Sequence, residues 1–234
     1  MILNKKTALF YGIMMGDGCL SRAAGKYFIS ISGNIHDDRP FYDNVLGPIV
    51  EKLRGRPTRY RIRPKYGKIE FNFTDKELFS AIHKLGFPIG LKGRKLCTPP
   101  MFRGKLFKHV VAGLFSTDGC LVLTNNNGIL YPRIEIQSIS KKMLVQVRDF
   151  LNKNGLKGYV YKVNNGQIYR LQYNGKKNLA KFERLIGFSN PKHKAKCEKF
   201  RSRGSAKLYR VGNTKARKES RGSSVVERHF RNSR

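Results

Sequence analysis

The order of apolar and polar positions repeats along this chain. From about Lys6 to Asp17 an apolar run carries small residues at Gly12 and Gly16 and closes on Asp17-Gly18. Residues four apart share one helix face, and small ones there let a second backbone approach closely. The stretch from Val111 to Leu121 echoes it, with Gly113 and Thr117 as the small pair. Asp-Gly-Cys-Leu stands at 17–20 and again at 118–121, an offset of 101 residues, and Gly86-Phe87 recurs as Gly187-Phe188 at the same offset. A period this long indicates a duplicated domain or a fused dimer with pseudo-two-fold symmetry, not a solenoid.

Each copy of the run predicts a helix ending at Asp-Gly, with Gly18 or Gly119 in the left-handed conformation that closes many helices. In the first half, strands follow at 18–22 and 27–32, where Ile29 and Ile31 alternate with Ser30 and Ser32. Asp37 or Asp38 is expected to cap a helix over 40–53, with Phe41, Val45, Ile49 and Leu53 near helical spacing. A hairpin then places Arg59, Arg61 and Arg63 on one face and Tyr60 and Ile62 on the other. It turns at Tyr66-Gly67 and returns with Ile69, Phe71 and Phe73 opposite Lys68, Glu70 and Asn72. A helix over 75–85 closes the unit. The second half replays the plan: a motif helix over 104–117, strands at 120–124 and 133–137, and a helix to 154 capped by Ser140. Strands at 158–163 and 167–173 and a helix over 177–186 complete it. The order αββαββα, twice, predicts an α+β fold with helices on one side of each sheet. The units are residues 1–86 and 101–190, joined by a Pro/Gly-rich linker at 87–100 with a basic run at Lys92-Gly93-Arg94-Lys95, and followed by a basic extension at 191–234.

Charge changes the picture. The 234 residues hold 48 Lys+Arg against 15 Asp+Glu, a formal +33, within segments that are 40% hydrophobic overall. A folded polycation points to a polyanionic partner, nucleic acid first. The sheet faces fit this. Arg59, Arg61 and Arg63, with Lys68, Asn72, Ser30 and Ser32, are candidate DNA contacts in the first half; Arg133, Gln137, Arg170 and Gln172 are their counterparts in the second. The four cysteines have no metal-binding spacing, and Cys19 and Cys120, which follow the aspartates symmetrically, read as small packing residues in a reducing compartment. No apolar run reaches transmembrane length and no signal peptide is evident, which gives a cytoplasmic expectation. No P-loop or zincin motif is present.

Asp17 and Asp118 are the chemical centre of this reading. A carboxylate at a helix C-terminus faces the negative end of the macrodipole. Packing the two helices side by side doubles the problem, and a hard divalent cation such as Mg²⁺ or Ca²⁺ resolves it.

Both copies resemble the LAGLIDADG motif of homing endonucleases in its single-chain, two-repeat form. The second copy matches at Ala112, Gly113, Leu114, Asp118 and Gly119; the first keeps Gly12, Asp17 and Gly18. Met15 and Ser116 hold the motif's sixth place, where neither is acidic. The resemblance runs from about residue 5 to 190. It implies two pseudo-symmetric repeats forming a DNA-binding β-saddle, with the motif helices packed at their interface. It also implies metal-dependent hydrolysis of one phosphodiester in each strand of duplex DNA, with Asp17 and Asp118 as catalytic metal ligands. The carbonyls of Gly16 and Thr117 are further ligands by analogy, and Mg²⁺, or another divalent cation such as Mn²⁺, is the implied cofactor. Gln137 falls where many relatives carry a catalytic glutamine, with Ser32 or Asn34 in its place in the first half. A family lysine near the start of each last helix corresponds to Lys76 and to Lys176 or Lys177.

The function expected is a monomeric, site-specific homing endonuclease making a double-strand break in a long target. The absence of splicing blocks favours a free-standing, intron-encoded type that mobilises its host intron. An RNA maturase acting on intron RNA, or a non-cleaving DNA-binding regulator of the same fold, are the alternatives; retention of both aspartates favours catalysis. Residues 193–203 form a basic, helix-compatible stretch able to follow a phosphate backbone. From 204 the Ser/Gly/Arg-rich sequence reads as a tail, and 222–229 resembles translated tRNA-gene sequence.

Overall fold

A computed structural model describes residues 2–163 and 167–202. The tail expectations, including those for 222–229, lie outside the described residues. The chain begins with α1 (Lys5–Asp17), capped by Asn4, whose side chain accepts from Lys6 and Thr7 while Thr7 bonds back to the Asn4 backbone. Strands β1 (Gly18–Ala23) and β2 (Lys26–Asn34) follow. Helix α2 (Ile35–Phe41) passes through a π-turn at Tyr42–Leu46 into α3 (Gly47–Arg54). Pro48 lacks an N–H, so one backbone bond is missing where the helix widens, and Gly47 N–H reaches back to the Tyr42 carbonyl. Strands β3 (Arg61–Arg63) and β4 (Lys68–Thr74) and helix α4 (Lys76–Lys84) complete the first unit.

The second unit runs α5 (Phe107–Asp118), β5 (Gly119–Asn126), β6 (Ile129–Ser138), α6 (Lys141–Lys153), β7 (Gly158–Val163), β8 (Ile168–Asn174) and α7 (Gly175–Leu185). Residues 191–202 form α8. Each unit contains an antiparallel four-stranded sheet, ordered β1-β2-β4-β3 in one and β5-β6-β8-β7 in the other. The topology of the repeat is therefore identical in both halves. Ile29, Ile31, Ile69 and Phe71 face the helices in one sheet; Leu121, Ile134, Ile136, Leu171 and Tyr173 do so in the other, and all are buried. Tyr42 stacks on Phe71 at 5.5 Å between ring centroids, and Tyr60 meets both rings edge-on.

The two units meet through α1 and α5, which lie parallel. Contacts climb both helices together: a Cβ placed on Gly113 would fall 2.0 Å from the Leu9 carbonyl oxygen, one on Gly12 2.0 Å from that of Val110, and one on Gly16 1.9 Å from Thr117 Oγ1. No side chain fits between the backbones at Gly12 and Gly113. The expected small-residue seam is present.

Local expectations differ from the structure in three places. Gly18 and Gly119 are extended, not left-handed (φ −81° for both), because each motif helix passes directly into a strand. Glycine is needed there for space: a Cβ at 18 would lie 2.5 Å from Met14 Cα, and one at 119 2.4 Å from the Phe115 carbonyl oxygen. The cap of α2 is Asn34, not Asp37 or Asp38, since the helix begins earlier than the apolar spacing indicates; Asn34 Oδ1 accepts from the backbone of His36 and Asp37. Finally, β3 is only Arg61–Arg63. Arg59 precedes the paired strand, and Ile62 is 38% exposed, so Tyr60 alone provides the apolar contact expected of both.

Candidate metal centre and nucleic-acid interface

Parallel packing of α1 and α5 brings their C-terminal ends together, and with them Asp17 and Asp118. Burial first, then the neighbouring Asp118 charge, raises Asp17 to about 7; burial raises Asp118 to about 6, against a partial pull downward from Lys92. Two carboxylates that resist ionisation beside each other make a site with unmet demand for positive charge. Among the described residues no group of three or more His, Cys, Asp or Glu side chains could hold a metal. The donor set is thus two carboxylates plus nearby backbone carbonyls. That composition fits a hard divalent cation that completes its shell with water.

One cation is already supplied by the protein. Lys92 donates to the carbonyls of Met14 (3.2 Å) and Gly16, and its ammonium feels Asp118 and Asp17. Burial holds its pKa below that of a free lysine while the two aspartates pull it back up. The Gly16 carbonyl, expected as a metal ligand, accepts this lysine. Sequence reasoning assigned Lys92 only to a basic linker run. The available signal was position: Lys92 and Lys192 follow the recurring Gly86-Phe87 and Gly187-Phe188 at nearly equal distances. Lys192 reaches the same end of the molecule but is paired differently, with its Nζ 2.7 Å from Asp38 Oδ1. Asp38 is buried and also accepts from Asn34 N and Asn190 Nδ2; Asn190 donates in addition to the Ser116 carbonyl on α5. Helix α8 is anchored by His193 against Phe115, with ring centroids 4.8 Å apart.

The remaining expected residues divide by location. Lys76 sits at the start of α4 over the Tyr27 ring, and Lys176 in the first turn of α7 over Phe200. Neither contacts the aspartates. Ser32 and Gln137 occupy equivalent places, each one residue beyond the strand position paired with the motif's final glycine (Gly18 with Ile31, Gly119 with Ile136). Asn34 serves as a helix cap instead.

On the sheet surfaces away from the helices the register assembles one polar face per unit. In the first, Ser30 pairs with Asn72, Ser32 with Glu70, Arg61 with Glu70 and Arg63 with Lys68. In the second, Glu135 pairs with Gln172, Gln137 with Arg170, and Arg133 with Asn174. Gln172 accepts from Tyr161 Oη at 2.6 Å and donates to Asn174. With its amide oxygen turned towards Arg170, Gln137 accepts from Nη2 at 2.8 Å. Arrays of alternating donors and acceptors on an exposed sheet suit the edges of bases in a groove.

Comparison with known proteins agrees with this architecture. Residues 109–187 match the family model of the LAGLIDADG-like domain. A probable translation initiation factor IF-2 of Methanocaldococcus jannaschii is 29% identical over 202 residues, 80% of this chain and 15% of that protein. A tRNA-splicing ligase RtcB of Methanopyrus kandleri is 27% identical over 208 residues, 77% of this chain and 20% of that protein. The chain thus spans a fifth or less of these relatives. Among solved structures, the homing endonuclease I-DmoI with DNA and Mn superposes with a TM-score of 0.55 at 16% identity, covering 78% of this chain and 96% of its own. The I-LtrWI LAGLIDADG homing endonuclease bound to target DNA gives 0.55 at 12% identity, covering 88% and 90%. Residues 109–187 thus match a LAGLIDADG-like domain, and the described residues together share the two-repeat fold of the LAGLIDADG homing endonucleases.

Proposed function

We propose that this chain is a divalent-metal-dependent, site-specific endodeoxyribonuclease that makes a double-strand break in a long DNA target. The observation that carries this reading is the pairing of Asp17 and Asp118 at the ends of two parallel helices, with raised pKa values and the Lys92 ammonium bonded to the same end of α1. A site built only to bind DNA gains nothing from two crowded carboxylates, which repel phosphate.

Asp17 and Asp118 would hold the cations, aided by the Thr117 carbonyl and, once Lys92 moves off it, that of Gly16. When bound, such ions polarise the phosphoryl oxygen, acidify the attacking water and stabilise the leaving oxygen. The protein's own groups do the rest. Lys92 places an ammonium donor where charge develops on a scissile phosphate. The pseudo-two-fold relation of the carboxylates matches the two antiparallel strands of a duplex, one for each. Ser32 and Gln137, at equivalent places but of different chemistry, make the two half-sites unequal. The sheet faces hold the duplex, and the +33 charge draws it in. Structures of this fold have been obtained with DNA and with Mn or Ca ions, which supports the same partners here.

The curated relatives support a mobile-element role. They carry unrelated names, yet each shares with this chain a segment that is a fifth or less of its length. A segment common to proteins of different function is more economically read as an insertion than as part of either activity. The test is to incubate the protein with Mg²⁺ and genomic or randomised DNA and sequence the ends. Discrete breaks at one sequence, lost in Asp17→Asn and Asp118→Asn, support the reading; tight, salt-sensitive binding without cuts rejects cleavage.

A further inference from the structure

Two carboxylates stand on the surfaces assigned to DNA, whose phosphates would repel them. Glu70 and Glu135 lie on the polar faces of their sheets, and both are buried, at 5% and 6% exposure. Each lies beside two cations. Arg63 Nε lies 2.6 Å and Lys68 Nζ 2.7 Å from Glu70; Arg133 Nε lies 3.1 Å and Arg170 Nε 3.7 Å from Glu135. In a chain with only 15 acidic residues against 48 basic ones, two acids in the faces assigned to DNA need a reason.

We propose that Glu70 is a positioning residue for sequence recognition: it fixes Arg63 as a reader of base edges and keeps it from serving as a phosphate clamp. This rests on the DNA-binding reading above but not on cleavage. Arg63 donates its Nε to Glu70, which sets the guanidinium plane while its outer nitrogens stay able to grip two acceptors on one guanine; Arg133 makes no hydrogen bond to Glu135 through Nε, and Arg170 is already engaged by Gln137 and Tyr161. The Glu70 carboxylate also lowers the local charge, so the patch attracts phosphate less. Arg59 and Arg61, by contrast, form no ion pair among the described residues and fit the role of backbone contacts.

The positions of the acids support selection for recognition over relics of duplication. The strand register makes residue 70 equivalent to Arg170, since Ile31 pairs with Phe71 as Ile136 pairs with Leu171; residue 135 is likewise equivalent to Ser30. The repeat is thus symmetric in backbone and asymmetric in buttressed charge. Such a face reads a target whose halves differ.

The test selects randomised duplex DNA on the full chain in Ca²⁺ and sequences the bound pool. It compares wild type, Glu70→Gln, Arg63→Gln and the double variant. Thermal melting checks that each variant is folded. In Glu70→Gln, preference at a few base pairs should fall about tenfold, and affinity for unrelated DNA should rise a few-fold. Arg63→Gln should lose preference at the same base pairs, and the double variant should lose no more than either single one. Unchanged base preferences, or equal losses for preferred and unrelated DNA, would overturn the proposal. Wild-type protein without salt-sensitive DNA binding would instead overturn the DNA-binding reading, and this one with it.

Discussion

At Asp17 and Asp118 three unfavourable effects coincide: partial removal from water, proximity of a like charge, and the negative end of a helix. Their folded-state pKa values, about 7 and about 6, lie above those of an unfolded chain. Between pH 4 and 7 the folded protein therefore binds more protons than the unfolded one, and in EDTA its stability falls as pH rises through that window. The expected loss is on the order of 2 kcal/mol, read as a falling melting temperature and flattened in Asp17→Asn. Added Mg²⁺ should restore it, most strongly above pH 7. Lys92→Met should slow cleavage about a hundredfold or more while DNA affinity changes little. A variant that cuts at the wild-type rate would remove Lys92 from the site.

The helix pair α1–α5 is the element on which the site depends. At Gly12 and Gly113 even a methyl group would overlap a carbonyl oxygen of the facing helix. Gly12→Ala or Gly113→Ala must push the helices apart, costing about 1–3 kcal/mol or more and widening the distance between the aspartates. Denaturant melts should show the first effect and cleavage assays the second, with activity lost at temperatures where the variant is still folded. Much of this element could be read from sequence. The apolar run, the glycine spacing and the repeat at offset 101 specify two close-packed helices ending in acids. The bounds of α2 could not, because its start depends on Asn34 and its π-turn on Pro48, local bonds that apolar periodicity does not register.

For the whole molecule, charge and duplication act together. Binding to duplex DNA should weaken steeply with salt, with a log–log slope of about −0.9 per phosphate neutralised. Arg61→Ala should flatten that slope by about one contact without changing base preference; a nearly flat wild-type dependence would contradict the assignment of the sheet faces. The repeat, the αββαββα order, the basic excess and the paired aspartates are all local or compositional, and the sequence by itself determined them. Tertiary structure alone decided which cations reach which acids. Lys92 comes from a linker to the end of α1, and Lys192 and Asn190 come from beyond the second repeat to Asp38. Lys76 and Lys176, assigned by resemblance near the start of each last helix, stand over Tyr27 and Phe200. Hydrophobic periodicity encodes which face of an element is buried, and that is enough to build the repeats. Where a long polar side chain ends is set by the three-dimensional meeting of segments up to 154 residues apart, and no pattern along one chain specifies that distance.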